Sequence, residues 1–333
     1  MALEAVGSGK SLFTHQLGRA KAPLRSAFAR RLWQTLDRSE MSPMSRIHRL
    51  LRKPFFGRYE VPWTWPSADE AAKWERVTFK NPGDGQLVGL WGPAECDVIG
   101  TLVLAHPMGK AAKGFWLRHG HADLFRRSGF HVLVFDANGF GESEPVSFDY
   151  PADILAAGLW AQARTPELPV GLVGASFGAG WGLCSMARAG SPFRAAVLEG
   201  VFPTLPDFWR HYPVAYATLR ISQLVWPSLE RNLRPEREAA KVIGRPAVLL
   251  VYGDRDKVTP PAHGQRLMKP LGEAANAELR VIPGVEHTFA YRDARDEYVS
   301  RVIPFLTHAL QSAAIPQNQR PNFDGCSTHG TDA

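Results

Sequence analysis

The sequence has little of what marks several protein classes. Three cysteines, Cys96, Cys184 and Cys326, stand far apart in 333 residues, and so few thiols at such spacing form neither a disulfide framework nor a zinc site. No run of 18 apolar residues occurs, so the sequence predicts no membrane-spanning helix, and no secretory signal pattern is visible. These absences favour a reduced, cytoplasmic setting.

Signals for nucleotide binding and for repeat architectures are also missing. Residues 7–11 resemble the end of a phosphate-binding loop, but Glu4 stands where that loop has its first glycine. Gly178 and Gly180 begin a dinucleotide fingerprint whose third glycine is replaced by Leu183. No internal repeat is apparent, which excludes solenoids and propellers.

The positive charge of the chain is concentrated near its N-terminus. Residues 1–60 carry 12 lysine and arginine side chains against 4 acidic ones, whereas the rest of the chain carries 27 against 28. We therefore expect a basic, partly amphipathic arm over residues 1–73, which either docks on the folded body or makes peripheral contact with an anionic membrane surface. No nucleic-acid partner is predicted. The apolar residues of the N-terminal arm recur at helical spacing, at Leu24, Phe28, Leu32 and Leu36.

Over the rest of the chain, apolar segments alternate with helical patterns, and this alternation predicts an α/β domain over residues 74–313 with a mostly parallel sheet. A polar tail over residues 314–333 is expected to be disordered. The predicted strands are Trp74–Lys80, Gln86–Trp91, Val98–Ala105, His131–Asp136, Val170–Gly174, Ala195–Glu199, Pro246–Tyr252 and Ala277–Ile282. The predicted helices are Gly114–Ser128, Ala152–Ala163, Gly178–Ala189, Pro261–Leu271 and Asp293–Leu310.

A candidate nucleophile stands at the end of the fifth predicted strand. Residues 169–180 form an apolar run that ends in Gly174-Ala-Ser176-Phe-Gly178 and leads into a helical stretch. A serine on such a strand-to-helix turn projects above the sheet edge, and the flanking glycines are needed because the turn leaves no room for side chains there. Ser176 is therefore the candidate nucleophile.

An acid and a histidine follow in chain order. The strand Pro246–Tyr252 leads to Gly253-Asp-Arg-Asp256, and the last strand leads to His287. Both groups come just past the carboxyl end of a strand, where open α/β sheets hold their sites. Ser176, Asp256 and His287 thus form a candidate triad, with Asp254 and Glu199 as alternative positions for the acid.

These residue types suit acyl transfer. A serine hydroxyl becomes a nucleophile when an adjacent imidazole accepts its proton, and a carboxylate orients that imidazole and stabilises its protonated form. Backbone N–H groups must then stabilise the oxyanion that develops. We expect these donors at Phe177, next to the nucleophile, and at Met108, where Gly109 would allow close approach of the backbone.

Other polar residues near these loops have simpler interpretations. His106 is expected to shape its loop. Lys110 and Lys113 either contact an acidic group of the substrate or form a solvated face. His119 and His121 make an isolated His-x-His pair with no third ligand, so no metal site is predicted.

On these motifs, residues 74–310 resemble the α/β-hydrolase superfamily, and within it the small-cap esterases, acylglycerol lipases and peptidase-like hydrolases. The His-Gly-Gly-Gly oxyanion loop of one lipase subgroup is absent. The resemblance implies an α/β-hydrolase fold with eight mostly parallel strands, helices on both faces and a small helical cap at residues 202–245, and it favours Asp256 as the acid. The matching stretches are His106-Pro-Met-Gly109, Asp136-Ala-Asn-Gly-Phe-Gly141-Glu-Ser143, Gly174-Ala-Ser-Phe-Gly178, Gly253-Asp-Arg-Asp256 and Glu286-His287.

Motifs and resemblance together predict a serine hydrolase that cleaves a small-molecule carboxylic ester or thioester through an acyl-enzyme, with no metal or organic cofactor. The serine nucleophile argues against dehalogenases and epoxide hydrolases, for which the superfamily uses an aspartate. Two alternatives stay open: an acyltransferase with the same triad, and a non-catalytic protein of this fold that binds a membrane or a partner. The aromatic residues of the cap segment either line an apolar acyl pocket or pack the cap onto the body, and both can hold together. They are Phe202, Phe208, Trp209, Tyr212, Tyr216 and Trp226.

Overall fold

The structure is a computed structural model, and it describes residues 62–108, 112–225 and 233–314. Of the predicted N-terminal arm, residues 1–61 lie outside the described residues, as do residues 315–333 of the predicted tail. Trp63 and Trp65, near the start of the described chain, stack edge to face. A Cβ on Gly114 would lie 2.3 Å from the Trp63 ring, so this segment packs closely on the body that follows.

The described residues form an eight-stranded sheet in the order β1-β2-β4-β3-β5-β6-β7-β8. The first two neighbouring pairs in this order are antiparallel, and the five later pairs are parallel. This is the mostly parallel sheet that the sequence predicts, and each predicted strand is present within about two residues. The strands are β1 (Glu75–Lys80), β2 (Gln86–Gly92), β3 (Gly100–Ala105), β4 (Phe130–Phe135), β5 (Val170–Ala175), β6 (Phe193–Glu199), β7 (Ala247–Gly253) and β8 (Asn276–Ile282).

Helices cover both faces of the sheet. Because side chains alternate along a strand, Val103 of β3 joins the cluster under α4, α5 and α9, whereas Leu102 and Leu104 join the cluster under α2, α3 and α11. The helices are α1 (Ala68–Ala72), α2 (Gly114–Arg118), α3 (His121–Arg127), α4 (Tyr150–Arg164), α5 (Phe177–Met186), α6 (Leu205–Phe208), α7 (Pro213–Val225), α8 (Pro235–Ala239), α9 (Pro261–Ala274), α10 (Ala290–Asp293) and α11 (Arg295–Ala314).

One predicted helix is two. The pattern over Gly114–Ser128 predicts a single helix, but α2 ends at Arg118 and α3 begins at His121. Gly120 between them has a φ of 75°, in the left-handed region where glycine is favoured and a right-handed helix is interrupted. The apolar period continues across the break, which is why the sequence pattern alone does not reveal it.

The hairpin turn between β1 and β2 is held by one side chain. Asn81 Oδ1 accepts hydrogen bonds from the amides of Gly83 and Gly85, each at 3.0 Å. Its Nδ2 donates to Asp153 of α4 at 2.8 Å. The turn predicted from the Asn-Pro-Gly-Asp-Gly segment is therefore also an anchor of the hairpin to the helical layer.

His121 begins α3 inside the core. It is 2% exposed, and neither ring nitrogen has a hydrogen-bond partner among the described residues. Its ring centroid lies 4.6 Å from that of Tyr291 and 5.1 Å from that of Trp116. Burial, with a smaller contribution from nearby His119, lowers the pKa of His121 to about 3, so this imidazole is neutral in the folded protein at neutral pH.

Replacement of His121 by phenylalanine should make folding stability less sensitive to acid. The unfolded chain takes up a proton at His121 below about pH 6.5, whereas the folded protein does so only near pH 3. In the wild type this residue should therefore lower the free energy of unfolding by about 1.4 kcal/mol for each unit by which the pH falls between those two values. Urea unfolding of both proteins from pH 5 to pH 7.5 checks this, and equal pH slopes would contradict it.

Candidate active site

Three loops at the carboxyl ends of the strands bring the predicted triad residues together. Ser176 stands between β5 and α5, Asp256 follows β7, and His287 follows β8. The Ser176 Oγ lies 2.8 Å from His287 Nε2, and His287 Nδ1 lies 2.7 Å from Asp256 Oδ2. The three side chains form a continuous hydrogen-bonded row, although Ser176 is separated from the histidine by 111 positions in sequence.

The backbone at Ser176 has the sharp turn that the motif predicts. Its φ is 52° and its ψ is −113°, a conformation that is rare for a residue with a side chain and that stores strain. A Cβ on Gly178 would lie 2.0 Å from the carbonyl oxygen of Ala105, and one on Gly174 would lie 2.7 Å from that of Gly178. Both glycines are therefore required by close approach of the main chain.

Asp256 is the carboxylate that contacts the histidine. Asp254 instead accepts a hydrogen bond from the Gly284 amide at 2.7 Å in an exposed loop. Glu199 accepts one from the Ala290 amide at 2.9 Å. Of the three acids that the sequence leaves open, only Asp256 therefore has the geometry to orient His287.

The surroundings of Asp256 keep its charge. Burial raises its pKa, but hydrogen bonds and charge interaction from His287 and hydrogen bonds from Thr259 outweigh burial, so the pKa lies below its ordinary value. The Val258 and Thr259 amides each donate to Asp256 Oδ1 at 2.8 Å. The carboxylate is thus ionised and locked in place near neutral pH.

Thr259 is a site residue that the sequence reasoning missed. Its Oγ1 lies 2.6 Å from Asp256 Oδ2 and 3.0 Å from His287 Nδ1, so it contacts both partners of the acid–histidine pair. Its position three residues after Asp256 is the available signal, because a threonine there can bond back to the carboxylate. Contact with the histidine depends on the fold and has no sequence signal.

The two predicted oxyanion donors come from different segments near the strand-to-helix turn at Ser176, the nucleophile elbow. Phe177 is the first residue of α5, where the positive end of the helix dipole lies. Met108 follows β3 and packs, partly buried, against the hydrophobic cluster that contains Phe177. Gly109 lies outside the described residues, and the roles of Met108 and Phe177 stay predictions.

His106 has the loop-shaping contacts expected of it. Its Nδ1 lies 2.8 Å from the carbonyl oxygen of Pro107, and its Nε2 accepts from the Ala137 amide at 3.1 Å. The imidazole thereby links the loop after β3 to the loop after β4.

The interpretation of Lys113 as part of a solvated face is wrong. It is 1% exposed, and its Nζ forms ion pairs with Asp136 and with Glu142, the latter at 2.7 Å. Its amide also donates to Asp136 at 2.9 Å. A buried ammonium needs such paired carboxylates, and the ammonium of Lys113 is shielded from solvent and paired within the protein. Lys110 lies outside the described residues.

Aromatic residues of the predicted cap segment pack on the elbow. The Phe208 ring of α6 lies 4.6 Å from the Phe177 ring and 6.2 Å from the His287 ring. The ring centroid of Phe202 lies 5.2 Å from that of Phe177, and the ring centroid of Trp209 lies 6.5 Å from that of Phe177. Together they form an apolar wall next to Ser176; Trp226 lies outside the described residues.

The next helix of this segment, α7, exposes its apolar side chains. Leu224 is 87% exposed and Val214 is 81% exposed, and no acidic residue occurs within α7. Apolar side chains on a free surface typically mark a contact with another molecule or with lipid. Among the described residues, no helix is both long and apolar enough to cross a membrane.

A family model described as the alpha/beta hydrolase fold matches residues 100–219. This range runs from β3 to within α7 and includes Ser176, whereas Asp256 and His287 lie beyond it. The match agrees with the sheet order and confirms the predicted fold class and resemblance.

Two relatives share sequence with this chain. Protein ABHD12B of Homo sapiens is 28% identical over 174 residues, which cover 48% of this chain and 48% of that protein. The lysophosphatidylserine lipase ABHD12 of Danio rerio is 25% identical over 182 residues, which cover 49% of this chain and 47% of that protein. The matched part of the chain thus spans about half the length of these relatives.

Solved structures share the fold at lower sequence identity. The Pyrococcus furiosus esterase Pf2001 superposes with a TM-score of 0.62 at 19% identity, covering 75% of this chain and 96% of that structure. An alpha-beta hydrolase from Vibrio vulnificus superposes with a TM-score of 0.61 at 13% identity, covering 80% of this chain and 95% of that structure. At such identities the likeness concerns the fold alone.

Proposed function

We propose that this chain, which has the α/β-hydrolase fold, cleaves a carboxylic ester or thioester with Ser176 as nucleophile. The observation that carries the proposal is the hydrogen-bonded row from Ser176 Oγ to His287 at 2.8 Å and on to Asp256 at 2.7 Å. A nucleophile within reach of a base that a third group orients is the arrangement that covalent acyl transfer requires.

The reaction proceeds in two halves. Ser176 Oγ attacks the carbonyl carbon while His287 Nε2 takes its proton, and the same proton then passes to the leaving alcohol or thiol. In the second half, water attacks the acyl-enzyme and the histidine again moves the proton, which regenerates Ser176 and releases the acid. Asp256 stays ionised and stabilises the imidazolium in both halves.

Stabilisation of the oxyanion is assigned to the amides of Phe177 and Met108. Phe177 opens α5 directly after the nucleophile, where the helix dipole favours negative charge. Each such donor contributes about 10²–10³ in rate in enzymes of this type.

The substrate proposed is a lipid-like ester with an apolar acyl chain. Support comes from the wall formed by Phe208, Phe202 and Trp209 beside Phe177, since such surfaces bind acyl chains and keep water from the reacting atoms. The relative from Danio rerio is named for lysophosphatidylserine, so single-chain lysophospholipids belong among the substrates to be tested.

Wild-type protein should hydrolyse p-nitrophenyl esters, and Ser176→Ala should lower kcat/KM by about 10⁴-fold or more because the nucleophile is lost. The matched control is Ser185→Ala, which removes a buried hydroxyl that donates to Gly182 O in the same helix. This control should keep activity. Rates are measured for chain lengths from acetate to palmitate and then for lysophospholipids, and equal activity of wild type and Ser176→Ala would reject Ser176 as nucleophile.

The same assay separates hydrolase from acyltransferase. With glycerol or another alcohol added as acceptor, a hydrolase releases mainly free acid, whereas a transferase forms the new ester as its main product. A wild type that is inert on all these esters and does not react with a fluorophosphonate probe would instead favour the non-catalytic alternative.

Asp256→Asn should lower kcat by about 10³–10⁴-fold, because the amide no longer holds the reactive tautomer of His287 or stabilises its protonated form. Asp254→Asn is the matched control, since this neighbouring carboxylate contacts Gly284 instead of the histidine. It should retain most of the activity. Equal loss in both variants would point to a general effect on the loop, and the reverse order would make Asp254 the acid.

Peripheral contact with an anionic membrane is proposed as the means of access to such a substrate. The basic excess of residues 1–60 and the exposed apolar side chains of α7, such as Leu224 at 87% exposure, support it. The protein should float with liposomes that contain phosphatidylserine and less so with phosphatidylcholine alone.

The flotation assay also separates the two elements. Removal of residues 1–60 should weaken binding most at low salt, because their contribution is electrostatic, whereas Leu224→Ser should weaken it equally at all salt concentrations. Failure of the full chain to bind either liposome would remove the membrane element of the proposal.

A further inference from the structure

We propose that Glu199 is a positioning residue that ties the loop carrying His287, the histidine loop, to the nucleophile elbow at Ser176. Its negative charge favours the protonated form of His287 during the reaction. The inference deepens the proposed function and rests on it, because it concerns the same histidine. Glu199 lies outside the Ser176–His287–Asp256 row, and its part in the site is separate from that of Asp256.

The main chain of Glu199 holds the nucleophile. Glu199 is the last residue of β6 and pairs with Ala175, the residue before Ser176. The Ser176 amide donates to the Glu199 carbonyl oxygen at 2.8 Å. The strained turn at the serine is thereby attached to the end of the neighbouring strand.

The side chain of Glu199 reaches in the other direction, to the histidine loop. Its Oε1 accepts from the Ala290 amide at 2.9 Å across 91 positions of sequence. Ala290 comes three residues after His287 and begins α10. One residue therefore contacts both the turn that carries Ser176 and the segment that carries His287.

The residue after Glu199 brings the imidazole close to this strand end. Gly200 has a φ of 67°, and a Cβ there would lie 3.1 Å from His287 Cε1 and 3.0 Å from Thr259 Oγ1. The histidine ring thus packs directly on the main chain that follows Glu199. Glu199 is itself buried, and its carboxylate interacts electrostatically with His287.

The groups that face Glu199 come from three other elements. His287 comes from the loop after β8, Asp256 from the loop after β7, and Tyr298 from α11. Tyr298 is uncharged, since burial and then the charge of Glu199 raise its pKa well above the ordinary value. Of these groups, only His287 can gain a positive charge, and Asp256 already bonds to its Nδ1.

Glu199 can change its charge in the physiological range. It is 5% exposed, and this burial raises its pKa to about 7, although the Ala290 amide and His287 act in the opposite direction. Above that pH the carboxylate is charged and attracts the imidazolium that forms when Ser176 gives up its proton. Below it the carboxyl is neutral, so the attraction is lost.

The test compares Glu199→Gln with Glu199→Ala. Glutamine keeps the oxygen that accepts from Ala290 but removes the charge, whereas alanine removes both. The wild-type to Glu199→Gln ratio of kcat/KM should rise from near 1 at pH 5 to about three- to tenfold above pH 8. Glu199→Ala should in addition raise amide hydrogen exchange in residues 287–294 at least about tenfold, while Glu199→Gln leaves it near the wild-type rate.

Glu238→Gln is the matched control, since Glu238 is also buried, at 7% exposure, but pairs with Lys241. It should keep both the wild-type pH profile and the wild-type exchange rates. The titration midpoint of the His287 ring, followed by NMR, should move to lower pH by about half to one unit in Glu199→Gln and stay in place in Glu238→Gln.

The outcomes separate the parts of the proposal. A flat ratio across pH together with an unchanged His287 midpoint would overturn the role of the charge, and unchanged exchange in Glu199→Ala would overturn the tie to the loop. If the wild type hydrolyses no ester, the proposed function fails on its own, while the NMR titration and the exchange rates still decide on Glu199. For the comparison to be valid, the urea concentration at the midpoint of unfolding of Glu199→Gln must lie within a few tenths of a molar of the wild-type midpoint.

Discussion

The geometry of the site depends on the close approach of the turn after β5 to the end of β3. A Cβ at Gly178 would lie 2.0 Å from the Ala105 carbonyl oxygen, so α5 can begin there only if that residue is glycine. The first turn of α5 then holds Ser176 at a φ of 52°. The strain persists because the Ser176 amide bonds to Glu199 O at 2.8 Å and its carbonyl oxygen accepts from Gly180 at 2.9 Å.

Two buried carboxylates order the loops after β3 and β4. Asp136 pairs with Lys113 and also accepts from the Glu142 amide at 2.9 Å. Asp153 accepts from the Asn138 amide at 2.9 Å and from Asn81 at 2.8 Å. Burial raises the pKa of Asp153 to about 6, although these hydrogen bonds act against the shift. The segment after β3, which contains Met108, and the segment after β4 are thus held by polar contacts inside the protein.

The strands and the candidate residues Ser176, Asp256 and His287 were predictable because their sequence signals are local. The parallel strands β5 and β7 are continuous apolar runs that lead into glycine and polar residues, and strand ends of a parallel sheet meet at one edge. Apart from the helix that is interrupted at Gly120, what the sequence did not reveal concerns long-range contacts. Lys113 looks like a surface lysine until Asp136, 23 positions away, is found beside it. The contact of Thr259 with His287 spans 28 positions.

The amino-acid pattern is enough to locate the strands along the chain, the glycine-flanked turn at Ser176 and the residues that could act with it, because each depends on neighbours within a few positions. The folded structure is needed to see which of Asp256, Asp254 and Glu199 contacts His287. All three acids follow or end strands at the same sheet edge, and the direction of each side chain is set by the packing of loops far apart in the chain. The same packing gives Glu199 its contact with Ala290, 91 positions away.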